Sequence, residues 1–120
     1  VGERAAFGFN FDPSHLHWQM VDPVRFLQSF PERIYHVHIK DAVYDPASPL
    51  AMPDGWHYVA PGTGELPLAE SIALLQEDGY DGWLLFEHEK RWHPNLPEPE
   101  EILPKFVAWI RPLIDPTTGL

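Results

Sequence analysis

Cysteine is absent from this 120-residue chain, which excludes disulfides and every thiolate metal site. A reducing, cytoplasmic compartment fits that absence. Positive charge is scarce: eight Lys and Arg face eighteen Asp and Glu, a formal charge of −10. Such a balance repels phosphate backbones and anionic bilayers, so neither nucleic acid nor a membrane surface is expected as a partner. Nor is there an apolar run of about 18 residues, the length a membrane-spanning helix needs. The opening Val1-Gly2-Glu3-Arg4-Ala5-Ala6 carries no initiator Met and no signal-peptide pattern, and it leads almost directly into a strand. The sequence therefore reads as a piece of something longer.

What is present is alternation. Residues 6–12 set Phe7, Phe9 and Phe11 against Gly8, Asn10 and Asp12, a period of two that predicts a strand with its large residues towards helices and Asp12 towards an interior. Asp22-Pro23 opens a helix, with Asp as N-cap and Pro at the first position; Val24, Leu27 and Phe30 form its apolar face, and Pro31 ends it. A second strand runs from Ile34 to Ile39. Strict alternation would place Ile34, His36 and His38 on one side of it and Tyr35, Val37 and Ile39 on the other. Residues 42–66 read as a long Pro- and Gly-rich loop carrying Trp56, His57 and Tyr58, then Pro61-Gly62-Thr63-Gly64, and a loop of that length suggests function. Leu68, Ile72 and Leu75 mark a helix that stops near Gly79, and Asp81-Gly82 turns the chain into a third strand over 83–87. After a loop over 88–98, Ile102, Phe106, Trp109 or Ile110, and Leu113 outline a last helix, which Pro104 and Pro112 are expected to interrupt. Strands alternating with helices predict one α/β domain with a parallel sheet.

The three strands end alike. Asp12, His38 and Glu87 each stand where a strand gives way to a loop, and parity points all three to one interior, with Glu89 two residues further on sharing it. An O, N, O set on adjacent strand tips suits one hard or borderline divalent ion such as Mn²⁺, Co²⁺, Mg²⁺ or Zn²⁺, with coordination positions left for a substrate. Singly each has a plainer reading: Asp12 before Pro13 is a common turn cap, and Glu87 could cap a helix or pair with Arg91. His15, three residues beyond Asp12, lies on the same rim and within reach of a metal-held ligand. Lys40 would hold a substrate anion or hydroxyl, and Asp41 would fix an imidazole tautomer from behind; either would serve equally as a solvated rim charge. Trp56 offers an aromatic face to a sugar ring, or simply covers the rim.

These residues resemble the sugar phosphate isomerase/epimerase family, the xylose isomerase-like TIM barrels. The resemblance lies in Phe11-Asp12-Pro13-Ser14-His15-Leu16 with Trp18-Gln19, and in Arg33-Ile34-Tyr35-His36-Val37-His38 with Lys40-Asp41. It continues through Pro61-Gly62-Thr63-Gly64, Gly79-Tyr80-Asp81-Gly82 and Phe86-Glu87-His88-Glu89, collinear over nearly the whole chain. It implies that residues 1–120 are the last three βα units, strands 6–8, of an eight-unit barrel. It implies one divalent ion, Mn²⁺ foremost, held by Asp12, His38 and Glu87, with His15 touching a sugar or polyol substrate and Glu87 doubling as one of two acid/base carboxylates. The other carboxylate, a Glu from an earlier strand, has no counterpart, because Glu3 lies too near the start. Where some relatives carry an Arg beyond the ligand His, this chain has Ala42-Val43-Tyr44-Asp45, which shifts substrate contacts to Trp56 or His57. The implied activity is metal-dependent proton transfer beside a carbonyl of a sugar or polyol. A keto-polyol (inosose-type) dehydratase on the same site and a non-catalytic metal-binding fragment are the alternatives, while phosphodiester-cutting relatives are disfavoured by the acidic charge. Three strands cannot close a barrel and leave unpaired edges.

Overall fold

The alternating aromatics do form a strand, β1 (Phe9–Phe11), in the computed structural model, which describes residues 5–115; Glu3, Pro116 and their outer neighbours lie outside that range. Phe9 meets the rings of Phe26 and Phe30 at 4.9 and 5.1 Å between centroids, so the large face of β1 is turned to a helix as expected. Between them sits α1 (Pro13–His17), a short helix without apolar periodicity that the sequence did not announce. It finishes in a Schellman arrangement, in which Val21 N–H donates to Leu16 O and Met20 N–H to His17 O, with Met20 at φ 64°.

The helix opened by Asp22 is α2 (Pro23–Ser29), and the Asp22 carboxylate accepts from Val24 N at 2.9 Å. Leu27 reaches the core, while Phe26, rather than Val24, covers β1 beside Phe30. Next come β2 (Ile34–Ile39), β3 (Asp41–Tyr44), β4 (Trp56–Val59), α3 (Leu68–Glu77), β5 (Leu84–Phe86) and α4 (Pro99–Ile114). β1, β2 and β5 form a parallel sheet in the order β1-β2-β5, and β3 and β4 form an antiparallel hairpin.

Two expectations change here. Phe9 pairs with Ile34 but Asn10 with His36, so β2 carries one extra residue opposite β1. That bulge reverses parity at its start: Ile34 is buried with Val37 and Ile39, while His36 and His38 keep the inner face. The long loop over 42–66 is largely the β3–β4 hairpin, with Asp41 paired to Val59 and Tyr44 to Trp56.

Val37, Ile39, Leu27, Phe11, Ile72 and Leu75 make the core between the sheet and its helices. α4 adds Ile102 and Ile110, with Phe106, Trp109 and Leu113 half-buried, as the spacing predicted. Pro104 and Pro112 do not break it. Both prolines and the residues four before them, Glu100 and Ala108, are exposed, so the carbonyls deprived of a helical partner face water. No helix among the described residues is long and apolar enough to cross a membrane.

Candidate metal centre

Parallel register fixes the site. Phe11 is level with Val37, and His38 with Leu85, so the inner-facing positions Asp12, His38 and Glu87 meet beyond the carboxyl ends of β1, β2 and β5. Glu87 N–H donates to Ile39 O at 3.0 Å, extending the ladder one step past β5 and setting the side chain in line.

Asp12 is buried and caps α1. Its Oδ1 accepts from Ser14 N at 2.9 Å and from the Ser14 hydroxyl at 2.5 Å. Its Oδ2 is buried with no hydrogen-bond partner. Around that oxygen stand Lys40 Nζ at 3.5 Å, His15 Nε2 at 3.6 Å and His38 Nδ1 at 4.0 Å. His38 Nδ1 is also 3.1 Å from Glu87 Oε2. Ligand atoms of Asp12, His38 and Glu87 lie within 4.8 Å of one another, so the three could share a metal ion. Ligands about one ion at roughly 2.0–2.3 Å stand roughly 3–4 Å apart, which fits the His38 separations. A buried carboxylate oxygen left without a donor is costly unless something cationic meets it. On those grounds the residues fit a divalent cation.

Lys40 lies at the centre of this cluster, not on a solvated rim. Only 3% of its side chain is exposed, and Nζ is 3.0 Å from Glu87 Oε2 and 2.9 Å from Glu89 Oε1. Burial alone would push its pKa down; hydrogen bonds to Glu89 and Glu87 and the charge of Asp12 outweigh that and hold it above the usual lysine value. Burial likewise would raise Glu87, yet the Lys40 ammonium and His38 bring it below the usual carboxylate range. Three carboxyl groups, those of Asp12, Glu87 and Glu89, thus converge on one ammonium, an excess of acidic groups that suits an additional cation.

Asp41 does something other than orient an imidazole. It is 1% exposed, and its Oδ1 accepts from Ala42 N and Leu66 N while Oδ2 accepts from Gly62 N and Gly64 N, at 2.9 to 3.3 Å. Burial pushes its carboxyl up against the pull of those four donors. The Pro61-Gly62-Thr63-Gly64 turn is thereby tied to the hairpin, and a Cβ on Gly64 would collide with Asp41 Oδ1 and the Ala42 carbonyl.

The hairpin brings an aromatic rim to the cluster. His15 contacts Trp18 at 5.3 Å, Trp18 contacts Trp56 at 6.3 Å and Tyr58 at 5.9 Å, and Lys40 Nζ lies 5.4 Å from the Tyr58 ring centre. Asp12, His15, His38, Lys40 and Glu87 are therefore gathered directly, and Trp56 stands one ring behind. Glu89 joins through Lys40, in keeping with its parity. Tyr58 joins this rim as well, and its place two residues after Trp56, on the same side of β4, is the sequence signal for it. Glu87 meets neither a helix end nor Arg91, which packs over Trp92 instead.

A sequence profile described as "Xylose isomerase-like TIM barrel" matches residues 1–113. The chain is 30% identical over 109 residues to an inosose dehydratase of Clostridium botulinum (strain Eklund 17B / Type B), covering 84% of this chain and 36% of that protein. It is 32% identical over 88 residues to an inosose dehydratase of Lacticaseibacillus casei, covering 67% and 30%. Its fold superposes on the crystal structure of a xylose isomerase domain protein from Planctomyces limnophilus with a TM-score of 0.70 and 25% identity, covering 98% of this chain and 39% of that one. The chain thus spans about a third of the length of the curated relatives it matches.

Proposed function

The chain belongs to the xylose isomerase-like TIM barrel family, and from that premise we propose that it supplies part of an active site for metal-dependent proton transfer beside a carbonyl of a sugar or polyol. Residues 1–120 are read as one partial domain holding the last three βα units, strands 6–8, with the earlier strands providing a further Glu as fourth ligand and second acid/base group.

The observation that carries this reading is the buried, donor-free Asp12 Oδ2 facing His38 and the Glu87 side of the cluster. Asp12, His38 and Glu87 would hold the ion, Mn²⁺ foremost among Mn²⁺, Co²⁺, Mg²⁺ and Zn²⁺. When bound, such an ion polarises a substrate carbonyl and stabilises the negative charge that develops on its oxygen. Glu87, 35% exposed against 8% for Asp12, is the carboxylate open enough to take a proton from the adjacent carbon. His15, 57% exposed on the rim, would donate to a substrate hydroxyl. Trp56, with Trp18 and Tyr58, offers apolar faces to the ring carbons.

Returning the proton to a carbon gives isomerisation or epimerisation; expelling a neighbouring hydroxyl as water gives dehydration. The names of the relatives favour the second outcome. The test is a screen of sugars and keto-polyols with the full-length protein in deuterated water with Mn²⁺, Co²⁺ or Mg²⁺. Deuterium in recovered substrate or isomer supports the first outcome, and loss of water supports the second. Neither exchange nor dehydration with any metal would leave only a metal-binding role.

A further inference from the structure

The oxygens that would bind the ion already face another cation, which is hydrogen-bonded to Glu87 and stands just beyond bonding distance of Asp12. Lys40 Nζ stands 3.0 Å from Glu87 Oε2 and 3.5 Å from Asp12 Oδ2, and these same two oxygens face His38 Nδ1. Its third carboxylate contact, Glu89 Oε1 at 2.9 Å, uses no oxygen of the Asp12–His38–Glu87 set. With 3% of the side chain exposed and the Tyr58 ring beside it, the ammonium has little access to water as a replacement partner.

We propose that Lys40 is a resident counter-cation of the metal centre. Before the ion arrives it offsets the repulsion between Asp12 and Glu87 and keeps them together, and it competes with the ion for their oxygens. Glu89 is the anchor that retains the ammonium once those oxygens are taken. The site is thereby pre-assembled without metal, at the expense of metal affinity. Lys40 is a positioning residue here, and this role rests on the metal-centre reading given above.

Charge count and competition can be separated. Lys40→Gln removes the ammonium and adds one net negative charge to the site; Lys40→Gln with Glu89→Gln removes both and leaves the net charge as it was. The substitutions are made in the full-length protein; Mn²⁺ binding to its metal-free form is read from the free-ion EPR signal, and folding from circular dichroism and the melting temperature with and without Mn²⁺. Competition predicts that both variants bind Mn²⁺ more tightly than the parent, the double variant by about tenfold at unchanged net charge. It also predicts that Lys40→Gln lowers the melting temperature without metal and regains more of it on adding Mn²⁺ than the parent gains. A double variant that folds and binds Mn²⁺ no tighter than the parent overturns the proposal. If Lys40→Gln does not fold, the charge-conserving double variant alone decides. Should the parent bind no Mn²⁺ at all, the metal-centre reading falls; a parent that binds with an unimproved double variant removes only the role of Lys40.

Discussion

Asp12 follows β1 and Asp41 opens β3, and both are buried, at 8% and 1% exposure, yet their carboxylates are satisfied in opposite ways. Asp41 spends both oxygens on backbone N–H groups of Ala42, Leu66, Gly62 and Gly64. Asp12 gives one oxygen to Ser14 and leaves the other without a donor among three cationic or imidazole nitrogens. Burial alone therefore does not separate a structural carboxylate from one available to a ligand. The number of oxygens already filled by the backbone does.

Removing each carboxylate puts that distinction to the sharpest test. Asp41→Ala orphans four backbone donors, buried at Ala42 and Leu66 and partly buried at Gly62 and Gly64, so a loss of about 2–3 kcal/mol is expected in urea unfolding. A loss under about 1 kcal/mol would mean that water replaces the carboxylate freely and that the turn does not depend on it. Asp12→Asn keeps an oxygen for Ser14, so stability should move by less than about 1 kcal/mol, while Mn²⁺ binding by calorimetry should weaken at least about 100-fold. Equal damage to folding from both substitutions would erase the contrast.

Glu87 supplies a third carboxylate with a smaller effect. Its pKa is lowered on folding, so the stability it contributes is present above its ordinary value of 4.5 and is lost as pH falls through the lower folded value. With chelator present, the melting-temperature gap between the parent and Glu87→Gln should close as pH drops below about 4.5; because the group is 35% exposed, screening limits the contribution to under about 1 kcal/mol. A gap that stays constant with pH would show that Lys40 does not stabilise the charged form. The smallest change probes the helix that Asp12 caps. Met20 occupies a left-handed position at φ 64° with 93% of its surface exposed, and Met20→Gly should raise stability by about 0.5 kcal/mol in the same unfolding assay. A loss instead would mean that α1 depends on Met20 contacts and not on its end geometry.

The convergence of Asp12, His38 and Glu87 is legible in the sequence because strand parity is short-ranged. Asp12, His38 and Glu87 needed only a period of two and three strand ends, and the bulge at Tyr35 lies before His36, leaving the inner positions intact. Ile34, on the far side of that bulge, was misplaced for the same reason. The hairpin is not legible in sequence, because Trp56, His57, Tyr58 and Val59 are all half-buried and show no alternation of polarity. Asp41 looked like a site residue because the donors that claim it lie 21 to 25 positions away, at Gly62, Gly64 and Leu66, a distance no local pattern spans. Lys40 could not be placed by charge alone: a strongly hydrated ammonium is buried only when several carboxylates converge on it, and convergence is a property of the folded chain.

Among the described residues, β1 and β5 each have a single sheet neighbour, β2, and Trp83 and Leu85 near the β5 side are 82% and 43% exposed. In the proposed barrel these two margins are the seams where the earlier strands would join, so the side of the cluster that Asp12 and Glu87 leave open is completed by sheet pairing on both flanks of β2.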